Sequence, residues 1–506
     1  MVPLPASGGN VIEGRSIECA RGAVATGPAE GARAGARILG SGGNAMDAAA
    51  AACLACAVME PQAVDIGGYV AAGVVLDGRT GRIWSLDANS VAPAASREDM
   101  YEILPRRPGQ MGITEREYGC SVRDDANVFG PLSVATPGFM AGVGTLWERW
   151  GRLPWPQIVA PAQELIEGGL TYAPVRDAIV FRREAIERFP STAEILLPGG
   201  RPPDPEQPWI RSDLAWTLRT LASRGWRDFY EGEIGRRIAD FLLSQGGIVT
   251  REDMAAFTVR VTEPLSAEYR GARVHTAIAP NGGFSVLWAL EEMERVGLSL
   301  SDPPPDAYWH GLTDVLKRMW RRRLPDRGEG GTVHVAAADA EGNLVSVTIS
   351  QGGLFGSCLT VPGTGIILGH GMCRFDPHPG LANSPGPGKR PLNNVCPMII
   401  RTGSRDVAIG ARGGRRMVSV CAQLAQRIVD LDVSTFEAAS APRMHVLRDE
   451  PVQISADFSP QARAALEKMG HRIEVPDEVA GAAHGAEILR PGGRLRAGGN
   501  TWAAGV

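Results

Sequence analysis

The residues best suited to chemistry lie between Thr332 and Ser350. Positions 332–339 alternate in the manner of a strand, 340–342 reads as a hairpin loop, and 343–350 alternates again. Gly342 falls at the loop position that needs positive φ. If Asp339 and Asn343 close the loop, pairing runs outward two by two and sets Thr332 opposite Ser350. One face then carries Thr332, His334, Ser346, Thr348 and Ser350; the other carries Val333, Val335, Val345, Val347 and Ile349. By pattern alone, a hydroxyl-bearing hairpin face is a solvated one. The flanks argue for more. Positions 325–331 are polar and glycine-rich, a suitable place for a backbone break. Downstream, 410–415 supplies the adjacent glycines Gly413 and Gly414, able to turn two amide N–H groups toward one point.

The rest of the chain supplies elements to position these groups. A helix is predicted over 28–39, with Pro28 near its first turn and Gly40 and Gly42 ending it. Asn44 caps a second helix, with Asp47 three residues on, and the alanines from Ala48 allow close packing on a sheet. Strands are predicted at 70–75 and 83–86, joined by a turn around Asp77, Gly78 and Gly81. Between 137 and 323 amphipathic helices alternate with Gly- and Pro-rich turns, for example at 139–150, 155–167 and 214–224. Strand patterns return at 273–278 and dominate after Gly331. No long polar linker divides the chain, which favours one interlocked domain.

Composition narrows the function classes. A chain of 506 residues that is 44% apolar buries a large core, and its net charge of −4 gives no reason to expect nucleic acid or an anionic membrane as partner. Residues 1–15 lack a secretory pattern, and 48–59, the most apolar run, is too short to span a bilayer, so a cytoplasmic location is expected. Cysteines are scattered, and Cys53 with Cys56 reads as small buried thiols on a helix. The histidines show no metal-ligand spacing, so His334, His370 and His378 read as hydrogen-bonding residues, and neither metal nor cofactor is expected. The run 386–390 lacks the spacing of a phosphate loop. No G-x-S-x-G or S-x-x-K occurs. The basic run 317–323, with Trp320 inside it, reads as a solvated helix end.

Several motifs, in order, carry a resemblance. Residues 38–49, 60–68 and 135–138, then 246–257 with 269–271, then 331–334 with Asp339, Gly342 and Asn343, then 389–392 with Pro397, and finally Gly413 and Gly414, are similar to the γ-glutamyltranspeptidase superfamily of N-terminal-nucleophile hydrolases. The likeness runs from about Val24 to the C-terminus. It implies an α+β fold, the four-layer αββα sandwich, with two interwoven chains. It also implies self-cleavage between Gly331 and Thr332, giving a large chain 1–331 and a small chain 332–506 that stay associated. The freed α-amine of Thr332 then serves as base for its own hydroxyl, because a threonine alcohol is a weak nucleophile unaided. Ser350 stands where the family has a threonine that hydrogen-bonds the nucleophile. Gly413 and Gly414 correspond to the oxyanion donors, worth about 3 kcal/mol each.

Substrate recognition departs from that pattern. Asn89 stands where the family's arginine meets a substrate α-carboxylate, and Gly352, Gly371 and Arg374 stand where side chains accept its ammonium. Asn393 and Asn394 replace paired serines. The expected substrate is therefore a small amide without a γ-glutamyl group, similar to those of oxamate amidohydrolases and cephalosporin-type acylases. For Arg374 two readings stay open: an anchor for a substrate anion, or a surface residue paired with Asp376. A true γ-glutamyltransferase with an altered pocket, an inactive scaffold, and a homo-oligomer are the alternatives carried forward.

Overall fold

The computed structural model describes residues 11–106, 112–301, 304–323, 332–446, 449–476 and 481–506. Its centre is a 13-stranded sheet. In chain order the strands are β1 (Ile12–Cys19), β2 (Gly22–Thr26), β3 (Val70–Asp77), β4 (Arg82–Asn89), β5 (Arg260–Thr262), β6 (Leu265–Tyr269) and β7 (Ala272–Thr276). They continue with β8 (Thr332–Asp339), β9 (Leu344–Ser350), β10 (Met398–Arg401), β11 (Arg405–Ala411), β12 (Ala483–Leu489) and β13 (Leu495–Gly505). The spatial order is β6-β7-β10-β11-β12-β13-β2-β8-β9-β3-β4-β5, with β1 on β13.

The long strand β13 is the fold line. Its first part pairs with β12 and its last residues with β2, so the sheet doubles back and its two halves lie face to face. Small residues fill the gap: Ala23, Ala25, Ala336 and Ala338 from one half meet Ala408, Ala486, Ala497 and Ala503 from the other, with Ile399 and Leu344 between them. Helices cover both outer faces. On one side α1 (Ala29–Gly40), α2 (Ala45–Met59), α3 (Phe139–Trp150) and α4 (Trp155–Glu167) pack over Val333, Val335, Val345, Val347 and Ile349. On the other, α5 (Gly283–Arg295), α6 (Asp306–Arg322) and α7 (Arg416–Leu431) pack over Val274, Ile400, Val407 and Ile409. The layers are αββα, as the motifs implied. Strands β8 and β9 lie between β2 and β3, so the segment after Gly331 is threaded through the segment before it.

The local reasons are legible. Asn44 Oδ1 accepts the amides of Met46 and Asp47, while Asp47 accepts the Asn44 amide, a reciprocal cap on α2. A Cβ on Gly31 or Gly35 of α1 would strike Cys56 Sγ or the Ala48 carbonyl, so these glycines and the α2 alanines let the two helices touch. Cys53 and Cys56 are buried thiols on that helix. Among the described residues no helix is long and apolar enough to cross a membrane. The basic run 317–323 is not a solvated end throughout. Trp320 is buried and donates to Ser419 Oγ, and Arg323 is 1% exposed. The run lies on an amphipathic helix whose inward stripe continues through Trp320.

Candidate active site

Thr332 is the first residue of β8, and the hairpin has the expected register: Thr332 faces Ser350, His334 faces Thr348, and Ala336 faces Ser346. Asp339 closes the loop. Its Oδ1 accepts the amides of Glu341 and Asn343, its Oδ2 accepts Asn343 Nδ2 at 2.8 Å, and Gly342 has φ +86°. The same Oδ2 accepts the Ala45 amide at 2.8 Å, tying the hairpin to the start of α2. The hydroxyl face is buried between the two half-sheets, contrary to the solvated face that alternation alone suggests. Thr332 Oγ1 and Ser350 Oγ are 3.2 Å apart, and Ser350 Oγ also accepts the Gly352 amide at 3.0 Å. The Tyr69 phenol also interacts with the Ser350 hydroxyl; burial is the main reason this phenol is pushed up to about 12, so it is neutral.

The turn at 60–68 braces the far end of this hairpin. Tyr69 N donates to Ser350 O at 2.9 Å, Gln351 N to Ala63 O at 2.8 Å, and Asp65 N to Gln351 Oε1 at 3.1 Å. Asp65, fully buried, is held by Arg211 Nη2 at 3.0 Å. A Cβ on Gly68 would lie 3.0 Å from Ser350 O, which explains a glycine there.

The facing strand β11 brings Gly413 and Gly414 to the same end. Ser346 Oγ donates to Ile409 O at 3.1 Å, and one step nearer Thr332 the His334 ring packs on Gly410, where a Cβ would sit 2.4 Å from Cε1. β9 and β11 therefore advance together, toward Ser350 on one and the 413–414 turn on the other. Gly413 and Gly414 have φ +127° and +61°, in the region that favours glycine. They precede α7, whose N-terminus adds a positive dipole end. His334 Nδ1 is 2.9 Å from Thr348 Oγ1, and burial lowers its pKa to about 3, so the ring is neutral and structural.

The residues expected to recognise substrate connect to this end through Asn89 and Gly352. Asn89 is joined to Thr332 by an unbroken cross-strand row, Thr332–Ser350–Val70–Asn89. Its Nδ2 donates to Pro391 O at 2.7 Å, while its buried Oδ1 has no partner among the described residues. Asn393 Nδ2 donates to Asn281 Oδ1 at 2.8 Å and Asn394 Oδ1 accepts Arg323 Nη2 at 3.0 Å. Arg374 is not a surface residue, and Asp376 pairs instead with His378 at 2.8 Å. The Arg374 guanidinium donates to Gly352 O at 3.2 Å and lies 3.7 Å from Glu117 Oε1. His370 Nδ1 is 2.9 Å from Val128 O. No cluster of three or more metal-ligating side chains occurs among the described residues. Gly331 lies outside them.

Comparisons with known proteins bear on the family and the fold. The family model described as gamma-glutamyltranspeptidase matches residues 31–328 and 322–506. The chain belongs to the γ-glutamyltranspeptidase family. The Acylase ACY 1 proenzyme of Pseudomonas sp. (strain SE83) is 32% identical across 98% of this chain and 94% of its own length. The Glutathione hydrolase proenzyme of Escherichia coli (strain K12) is 26% identical across 92% of this chain and 87% of its own. The crystal structure of cephalosporin acylase from Bacillus halodurans superposes with a TM-score of 0.82 at 26% identity, covering 98% of this chain and 96% of that one. As a member of the γ-glutamyltranspeptidase family this chain is an enzyme acting on C–N amide bonds.

Five further residues of this family member escaped the sequence reading. Asp87 and Asn281 connect two of the recognition residues: Asp87 Oδ1 accepts the Asn89 amide at 3.2 Å and Asn281 Nδ2 at 3.1 Å, and Asn281 Oδ1 accepts Asn393. Arg260 Nε, 2.8 Å from Asp87 Oδ2, answers the buried carboxylate. Arg323 donates to Asn393 O at 2.7 Å, Asn394 Oδ1 and Ser285 Oγ. Glu117 is the buried partner of Arg374. For Asp87 a signal existed, since it lies two residues before Asn89 on one strand and so shares its face.

Proposed function

We propose that the chain is a proenzyme that cleaves itself between Gly331 and Thr332, and that Thr332 then deacylates small amides lacking a γ-glutamyl group. The observation that carries this reading is the Thr332–Ser350 hydroxyl pair, 3.2 Å apart at the buried start of β8. Cleavage converts the Thr332 amide nitrogen into a free α-amine. That amine takes the proton of Oγ1 as the hydroxyl adds to the substrate carbonyl. Ser350, anchored by the Gly352 amide and Tyr69, holds Oγ1 in line. The oxyanion falls to the Gly413 and Gly414 amides. The ammonium returns its proton to the departing amine, leaving an ester on Thr332 that water hydrolyses to the acid. Both cleaved chains, 1–331 and 332–506, stay together because β8 and β9 are bonded on each side to strands of the first.

Recognition supports an acyl group other than glutamyl. Asn89 offers an amide where bidentate binding of a carboxylate needs a guanidinium, and the Arg374 guanidinium, paired with Glu117, stands where an ammonium would have to sit. A carboxylate on the acyl chain suits Arg374, and oxamate is the smallest such amide. The names of the similar acylases support the same class. A panel of p-nitroanilides tests it: γ-glutamyl, oxalyl, succinyl and butyryl. The γ-glutamyl compound is expected on the order of 10²-fold below the best acyl anilide in kcat/KM. Equal or better γ-glutamyl turnover contradicts the proposal.

A further inference from the structure

Beyond Ser350 lies a buried ion pair, Arg374 with Glu117, of which the reading above uses only Arg374. The Gly352 amide donates to Ser350 Oγ, the Gly352 carbonyl accepts Arg374 Nη2, and Arg374 Cζ stands 5.9 Å from the centre of the Tyr69 ring. Glu117 Oε1 is 3.7 Å from Arg374 Nη1, and the two side chains are 2% and 6% exposed. Glu117 comes from the short helix Ile113–Tyr118, which is fixed to the Arg374 turn by a hydrogen bond from Tyr118 OH to Cys373 O at 3.2 Å. Gly352 has φ +99°, and a Cβ there would strike the His370 ring, so its backbone is held close to both Ser350 and Arg374.

A buried ion pair contributes little to stability, because desolvation of both ions offsets their attraction. Its effect on a ligand is larger. A guanidinium facing a carboxylate presents almost no net charge, so a second carboxylate arriving at Arg374 must displace or share the first. We propose that Glu117 is the specificity-determining residue of the acyl pocket: as standing partner of Arg374 it competes with the carboxylate of an anionic acyl group. It thereby sets how far the enzyme prefers anionic over neutral amides. This rests on the preceding reading of Thr332 as a deacylating nucleophile with Arg374 in its acyl pocket.

The sign of the effect follows from charge alone. Glu117→Gln keeps the shape and removes the negative charge beside Arg374. Arg374→Gln removes the positive charge beside Glu117. Succinyl- and butyryl-p-nitroanilide probe the pocket with acyl chains of equal length, one ending in a carboxylate and the other in a methyl group. The measured quantity is the ratio of their kcat/KM values, which does not depend on the fraction of active enzyme. In Glu117→Gln the succinyl-to-butyryl ratio should rise about 10- to 100-fold, through a lower KM for the succinyl compound. In Arg374→Gln it should fall by a similar factor, and the double variant should lie between. Glu117→Asp draws the carboxylate back from Arg374 and should raise the ratio by a smaller factor, so the test holds even where Glu117→Gln fails to accumulate. A ratio that stays within threefold of wild type, or that falls, in either Glu117 variant overturns the proposal. A wild-type enzyme that cleaves neither anilide overturns the deacylation reading, and this inference with it. Cleavage of both anilides with an unmoved ratio overturns this inference alone.

Discussion

Around Thr332 the functional groups are held by strand register, whereas around Arg374 and Asn393 they are held by side chains arriving from distant parts of the chain. The hairpin places Ser350 opposite Thr332 by pairing alone, and the packing of His334 on Gly410 carries the 413–414 turn to the same end. By contrast, Asn89 and Asn393 are linked through Asp87 and Asn281, Asn394 leans on Arg323, and Arg374 faces Glu117. The difference is one of tolerance. Moving the nucleophile end means shifting the backbone of a folded sheet, which closely packed alanines resist. Changing the recognition end takes only side-chain replacements in a hydrogen-bond network. On the proposed reading, a common frame around Thr332 can therefore serve different acyl groups.

Three substitutions probe that contrast. Gly413→Ala acts on the rigid end. With φ at +127° and a Cβ that would lie 3.1 Å from Gly481 Cα, the alanine must reorient its amide. The expected result is a kcat lower by about 10²–10³-fold with little change in KM, measured by steady-state kinetics on the best acyl anilide. A loss confined to KM would move Gly413 to the recognition side.

Asn281→Ala acts on the network. It strips one partner from Asp87 and one from Asn393, both buried, and should cost about 1–3 kcal/mol in urea unfolding. KM should rise on the order of tenfold with kcat within threefold. An equal fall in kcat would mean that the network also positions Thr332.

The third and smallest effect separates structure from chemistry within the rigid end. His334 is neutral because burial lowers its pKa to about 3, against about 6.5 unfolded. As pH falls below 6.5 the unfolded chain takes up a proton that the folded chain refuses. The contribution of His334 is therefore complete above pH 6.5 and is lost by about 1.4 kcal/mol per pH unit down to about pH 3. Urea unfolding of wild type and His334→Gln between pH 7 and 5 should show a shallower pH slope in the variant. Equal slopes would contradict a buried neutral ring.

Much of this frame is legible in the sequence. Asp339, Gly342 and Asn343 dictate the hairpin loop, and a two-residue period then carries the register back to Thr332 and Ser350 without further information. Asn44 with Asp47 announces the start of α2, and the alanines from Ala48 announce close packing on the sheet; the touch of α1 on α2 at Gly31 and Gly35 is seen only in the structure. The recognition end resisted for a physical reason. Glu117 meets Arg374, and Arg323 meets Asn394, across long stretches of chain that carry no local periodicity linking them. In the basic run 317–323 the charge masks the helical period: Trp320 marks a buried stripe, and Arg323 turns inward just beyond its end.

The central claim, that Thr332 becomes an N-terminal nucleophile, is tested most directly by denaturing intact-mass analysis of the purified protein alongside Thr332→Ala. The account predicts two chains for wild type, 1–331 and 332–506, the smaller beginning at Thr332. It predicts one uncut chain for Thr332→Ala, with amidase activity lower by at least about 10⁴-fold. A wild-type protein that is fully active while remaining a single 506-residue chain would contradict it.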